Sequence, residues 1–200
     1  MFDVKSGDMI VVSGKGPVSC GIQLATLSIP NIGPLGRWGW AGASHVGIIC
    51  NVFGEPLVYE STSFPRPPCV RTGRETPTGV QAHFLSDIVD AGGDVHHLPL
   101  HRKLYDDEEM RLLECLDSCL GQGYDFIGAA RAGGGRLIRT IQKFTHKEDM
   151  NLVFCSEYVR WAMTQVGLDY AANASNWNPQ KLVRHVLRRG IHTRGKCLSA

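Results

Sequence analysis

The sequence is short of several features, and each shortage excludes something. No apolar run approaches the roughly 18 residues that a membrane-spanning helix needs, so no transmembrane segment is expected. Neither sign of charge prevails: 21 Lys and Arg stand against 19 Asp and Glu, a net of +2. A surface that binds polyanions as a whole is therefore excluded, and no nucleic-acid partner is expected. CxxC pairs are missing although the chain has seven cysteines, at positions 20, 50, 69, 115, 119, 155 and 197. Neither a zinc knuckle nor a thioredoxin motif is indicated, and a disulfide framework has little support in a chain of this length. Met1 to Asp8 lack the basic region and long apolar core of a signal peptide, so the product is expected to stay in the cytoplasm unless another machine exports it. No internal repeat is seen.

What is present is ordinary globular material: 200 residues, 43% hydrophobic, 20% charged and 8% aromatic. This suits one domain over residues 1–190, followed by a basic C-terminal tail at 191–200. Asp8–Ser13, Ser44–Cys50, Leu57–Thr62 and Val95–Leu100 read as strands, with a further short strand or turn at Val80. Val18–Ile29 reads as a short helix and Pro30–Gly42, with Trp38 and Trp40, as a long loop. Residues 63–79 carry Pro65, Pro67, Pro68 and Pro77 without a period and read as an exposed loop. Phe84–Ala91 is expected to be a helix with Phe84, Leu85, Ile88 and Val89 turned inward. Asp106–Leu120 is amphipathic, with acids in the first turn and Met110, Leu112, Leu113, Leu116 and Leu120 at helical spacing. Tyr124–Ala132 and Leu137–Phe144 read as helices joined by a glycine hinge at 133–135. Val159, Ala162, Met163 and Val166 share a helical face with Cys155, and Gly167 suits the helix end. Asn178 and Pro179 supply an N-cap and first helical residue for a last helix with Leu182, Val183, Val186 and Leu187 as its apolar stripe.

Two residues stand out as chemical candidates. Cys155 falls near a helix start, where free backbone N–H groups and the positive end of the dipole favour a thiolate and would also stabilise an oxyanion. The plain alternative is a buried structural thiol. His45 opens an otherwise apolar strand, and the plain alternative there is a satisfied edge residue. If Val52 and Glu55 flank the hairpin turn, Glu60 lies opposite Gly47, diagonal to His45 on the same face. Diagonal neighbours are about 7–8 Å apart at Cα, within reach of long side chains. A carboxylate so placed orients an imidazole and stabilises its cation. A register of the other parity would put Glu60 on the wrong face.

Gly7-Asp8-Met9-Ile10, Ser44-His45-Val46-Gly47-Ile48, Val58-Tyr59-Glu60, Gly123-Tyr124-Asp125-Phe126 and Phe154-Cys155-Ser156-Glu157-Tyr158-Val159 resemble the circularly permuted NlpC-type, papain-like hydrolases, in which the His strand precedes the Cys helix. The resemblance runs from residue 7 to about residue 187. It implies an α+β, permuted papain-like fold, with an antiparallel sheet packed against helices including the one that bears Cys155. It further implies Cys155 as nucleophile, His45 as general base and Glu60 as orienting residue of an amidase or peptidase, commonly on peptidoglycan stem peptides. Tyr124, Asp8 and Ser156 are expected to line the substrate cleft, against the plainer readings that Tyr124 packs and Asp8 caps a turn. No cofactor is expected. His96 and His97 would point apart on a strand, and with His101 they find no completing Cys or carboxylate, so no metal site is expected.

Permuted relatives include cell-wall hydrolases and bacterial toxins delivered into competitors by secretion machines of the type VI kind. Toxins of that sort act in the periplasm of a target cell and pair with an immunity protein. The missing signal peptide suits such cargo and equally suits a phage or cytoplasmic enzyme. Other permuted relatives are acyltransferases, so thioester chemistry on lipids is the alternative activity, with loop 30–42 shaping an apolar pocket. A binding module without turnover is the third reading. Lys181, Arg184, Arg188, Arg189, Arg194 and Lys196 make the C-terminal end basic, either as a solvated helix face with a frayed tail or as a patch for anionic cell wall, lipid or nucleic acid.

Overall fold

A computed structural model describes residues 2–13, 42–63, 66–75, 78–125, 152–170 and 177–199. The elements are β1 (Met9–Ser13), β2 (His45–Val52), β3 (Glu55–Thr62), β4 (Gly79–Phe84), α1 (Leu85–Asp90), β5 (Asp94–Leu98), α2 (Asp106–Ser118), β6 (Gly123–Tyr124), β7 (Leu152–Val153), α3 (Cys155–Gln165) and α4 (Pro179–Arg188). The readings for 18–29, for most of the loop 30–42 and for the helices and glycine hinge between 126 and 144 lie outside the described residues.

The architecture is α+β: an antiparallel sheet in the order β4-β3-β2-β1-β5, packed against helices. Both faces of the sheet are covered, which is why β1 and β2 read as almost continuous apolar runs. Met9, Val11, Val46, Ile48 and Tyr59 pack with Leu112 and Leu116 of α2, Val159 and Met163 of α3, and Leu182 and Val186 of α4. Ile10, Val12, Ile49 and Val58 face the other way, against Leu85 and Ile88 of α1 and Val95 of β5. Each fully buried Leu, Ile or Met contributes roughly 1.5–3 kcal/mol relative to exposure, so the helices are held by these stripes more than by propensity. The α4 cap is as the sequence requires, with the Asn178 side chain accepting from the Lys181 N–H and Pro179 in the first turn.

The β2–β3 hairpin turns at Phe53-Gly54, both with positive φ (53° and 87°). That geometry matches the twist of the flanking strands. Val52 pairs with Glu55 and Ile48 with Tyr59, the register that sets Glu60 on the face of His45. Gly47 is required here, because a Cβ on it would lie 2.7 Å from Val58 Cγ1.

Four local readings are corrected. Phe84 is exposed, because it is the last residue of β4 and not part of the inward face of α1. Met110 is exposed, since α2 turns only Leu112 and Leu116 fully into the core. Tyr124 belongs to β6, paired in parallel with β7, and not to a helix. The stretch 63–79 is not wholly exposed, since Cys69 is buried and its neighbour Val70 donates from its N–H to Ala82 O on the β4 edge.

The segment 191–199 is also not a frayed tail. His97 donates its N–H to Lys196 O, Leu198 to Val95 O and Thr193 to Pro99 O, and His192 and Cys197 form bridges to Leu100 and His96. The cause is the outer edge of β5, whose unpaired backbone groups this segment satisfies. Among the described residues no helix is long and apolar enough to cross a membrane.

Candidate active site

His45 begins β2, Glu60 lies near the end of β3, and Cys155 begins α3. These ends meet at one margin of the sheet. Glu60 and Ser61 are consecutive on β3 and point to opposite faces. Glu60 reaches His45, its Oε2 standing 2.6 Å from His45 Nε2. Ser61 donates from Oγ to Val153 O at 2.6 Å, tying β3 to the strand that delivers Cys155. Cys155 stands beside the His45 ring, near enough that its sulfur acts on the ring by charge and by hydrogen bonding. With Nε2 given to Glu60, Nδ1 is the ring nitrogen left for the thiol. Cys155, His45 and Glu60 are 3%, 4% and 0% exposed.

Burial alone would lower the His45 pKa. The Glu60 carboxylate, and then Cys155 by charge and hydrogen bond, outweigh it and push the ring up to about 10. Burial alone would raise Glu60. His45 by charge and hydrogen bond, then the charges of Arg66 and His83, hold it down at about 2. The pair is therefore imidazolium and carboxylate at neutral pH. The N-cap residue of α3, Phe154, makes no side-chain cap, and backbone N–H groups at a helix start beside the sulfur are where an oxyanion would be stabilised. A thiol beside an imidazole that a carboxylate orients is equipped for nucleophilic attack on a carbonyl.

The other expected site residues separate. Tyr124 stands close enough to Cys155 that, after burial, the charge of the sulfur is the next largest influence raising its phenol pKa, and its side chain hydrogen-bonds Ser63. Ser156 is buried and its hydroxyl donates to Trp177 O, so its side chain anchors the segment before α4 and does not face a cleft. Asp8 is at the far end of β1 from the site, since Val12 is the β1 residue paired with His45. Its carboxylate accepts from the N–H groups of Lys5 and Leu100 and contacts His97 Nε2 at 2.7 Å. Asp8 is thus a buried cap that joins β1 to the end of β5. Among the described residues no group of three or more His, Cys, Asp or Glu is placed to hold a metal ion.

Sequence reasoning missed Ser61 and Arg66. Arg66 donates from Nε to Glu60 Oε1 at 2.9 Å, and it lies in a proline-rich stretch without any period to place it. His83 and Gln81, on β4 beside Glu60, were also missed; they pair with each other at 3.1 Å.

Comparison with solved structures finds a likeness of fold. The chain is similar to the metalloprotein yiiX from Escherichia coli O157:H7, described as DUF1105, with a TM-score of 0.53 and 17% identity over 97% of this chain and 88% of that one. What the two share is architecture. No protein-family model and no curated protein matches the chain.

Proposed function

We propose that this protein is a cysteine amidase or peptidase of the permuted papain-like, NlpC type, acting on an amide of peptidoglycan stem peptides. The observation that carries the reading is His45, which stands beside the Cys155 sulfur and holds the Glu60 carboxylate at 2.6 Å. The resemblance of the His strand and Cys helix motifs to that family supplies the substrate class. A thiol that is 3% exposed favours a thin, extended substrate over a folded protein surface.

The reaction is acyl transfer. His45 holds the proton of Cys155, and Sγ bonds to the substrate carbonyl carbon while the carbonyl oxygen takes up the negative charge beside the first turn of α3. The C–N bond then breaks, and His45 gives its proton to the leaving nitrogen, which leaves a thioester and a neutral ring. A water molecule loses a proton to His45 as its oxygen bonds to the thioester carbon, and the C–S bond breaks to release a carboxylic acid. Glu60 keeps the ring in one orientation throughout.

Incubation with purified muropeptides followed by mass spectrometry tests the reading. Cut stem peptides with the parent chain and none with Cys155→Ala are expected. Cutting by Cys155→Ala overturns the mechanism. Intact muropeptides together with acylation of the protein by labelled phospholipid give the site to lipid thioester chemistry instead.

A further inference from the structure

Arg66 is a charged group that none of these steps uses, yet it is built into the site. Its Nε donates to Glu60 Oε1 at 2.9 Å, while Oε2 of the same carboxylate holds His45 at 2.6 Å. The two cations therefore do not compete for one oxygen. The Arg66 side chain is 11% exposed and that of Glu60 0%, so this is an inner ion pair and not a solvated one. The other titratable neighbour that bears on Glu60 is His83 on β4, whose pKa burial lowers against the pull of Glu60 and of Asp87 of α1, so that its charge depends on pH. Among the described residues Arg66 is then the positive charge at this carboxylate that does not depend on pH.

A buried carboxylate whose only partner turns neutral is costly. In the reaction above, His45 becomes neutral when it protonates the leaving nitrogen. From that moment until the ring takes a proton from water, His45 supplies no charge to balance Glu60. We propose that Arg66 is a positioning residue that keeps Glu60 anionic, with Oε2 aimed at His45, during the part of the cycle in which the ring is uncharged. A guanidinium suits this role, because it does not surrender its proton in proteins and its planar fork fixes direction as well as charge. The proposal rests on the reading of Glu60 as the orienting member of the triad.

The test follows the Glu60 side-chain carboxyl by 13C NMR in the full chain, its resonance assigned with Glu60→Gln, while the pH is lowered as far as circular dichroism shows a folded protein. The parent is expected to show no midpoint down to about pH 4, whereas Arg66→Gln raises the midpoint by about two units or more, to about pH 4 or above, where it is observed. Arg66→Lys, which keeps the charge, restores the parent curve at least in part. The acid limb of Cys155 alkylation by iodoacetamide moves with the carboxyl in each variant, as a merely structural role would not require. An Arg66→Gln curve that coincides with the parent overturns the proposal, and so does a parent midpoint at an ordinary carboxylate value. If Arg66→Gln does not fold, Arg66→Lys decides: a curve near the parent's supports the proposal and an ordinary midpoint overturns it. None of these readouts needs a substrate. Intact muropeptides with the expected titration remove the hydrolase reading alone, and cut muropeptides with an unmoved titration remove the role of Arg66 alone.

Discussion

His45 Nε2 and Glu60 Oε2 stand 2.6 Å apart, and both belong to the β2–β3 hairpin. The base and its orienting group are thus local partners whose register is set by one turn. Cys155 joins them from α3, which packs on β2 and β3.

Replacing the carboxylate tests the charge logic of that pair. In Glu60→Gln the largest influence raising His45 is gone while burial, which lowers it, remains. The His45 midpoint, read from ring 15N shifts, is expected to fall from about 10 to the ordinary histidine range or below. Arg66 is left buried without its partner, so the variant should also lose about 3–5 kcal/mol of stability in denaturant titration. A His45 midpoint that stays where it was contradicts the pairing.

The turn itself offers an independent check. Phe53 has φ 53° and is 100% exposed, so its ring packs on nothing and its backbone adopts a conformation that a bulky residue resists. Asn is well suited to the first position of such a turn. Phe53→Asn should raise stability by about 1 kcal/mol, seen as a higher Tm, with unchanged Cys155 alkylation. A lower Tm argues against the turn geometry and hence against the register that places Glu60.

How much of this was legible in the sequence depends on how local each contact is. The hairpin was legible because β-branched runs flank a turn signal, and one register puts Glu60 beside His45. The position of Cys155 at a helix start was legible because Val159, Ala162, Met163 and Val166 repeat at helical spacing from it. Arg66 was not, because its neighbours are prolines without a period, and only the folded chain brings its guanidinium to Glu60. Tyr124 reads as helical from its neighbours because β6 is a short strand whose partner, β7, lies far away in sequence. The segment 191–199 reads as a tail because nothing in its own residues announces the open edge of β5 that it covers. For Asp8 the residues alone leave cleft lining and turn capping open, and the fold decides for the cap, its oxygens being spent on Lys5, Leu100 and His97.

The same C-terminal segment predicts an acid sensitivity. His192 is 1% exposed, and its Nε2 pairs with Gly7 O at 2.9 Å. If Nε2 carries the proton that Gly7 accepts, a second proton must go to Nδ1, which has no partner among the described residues. Burial is the largest influence on this ring and outweighs the Gly7 carbonyl and Asp8, with His97 adding to it, so its pKa is pushed down to about 4 from 6.5. The unfolded chain takes up the proton near 6.5 and the folded one only near 4, so folding is favoured above the first value. That contribution is lost as pH falls through the window between them, and it amounts to about 3 kcal/mol when lost completely. His45 acts in the opposite sense and at higher pH: its raised pKa stabilises the fold below about 6.5, and that stabilisation fades as pH climbs toward about 10. Denaturant titrations of the parent and His192→Gln from pH 7 to about pH 4 should show the parent losing stability more steeply, with the gap between the two curves changing by up to about 3 kcal/mol. Parallel curves would mean that the buried imidazole titrates normally, and that the contact between residue 192 and Gly7 opens readily to water.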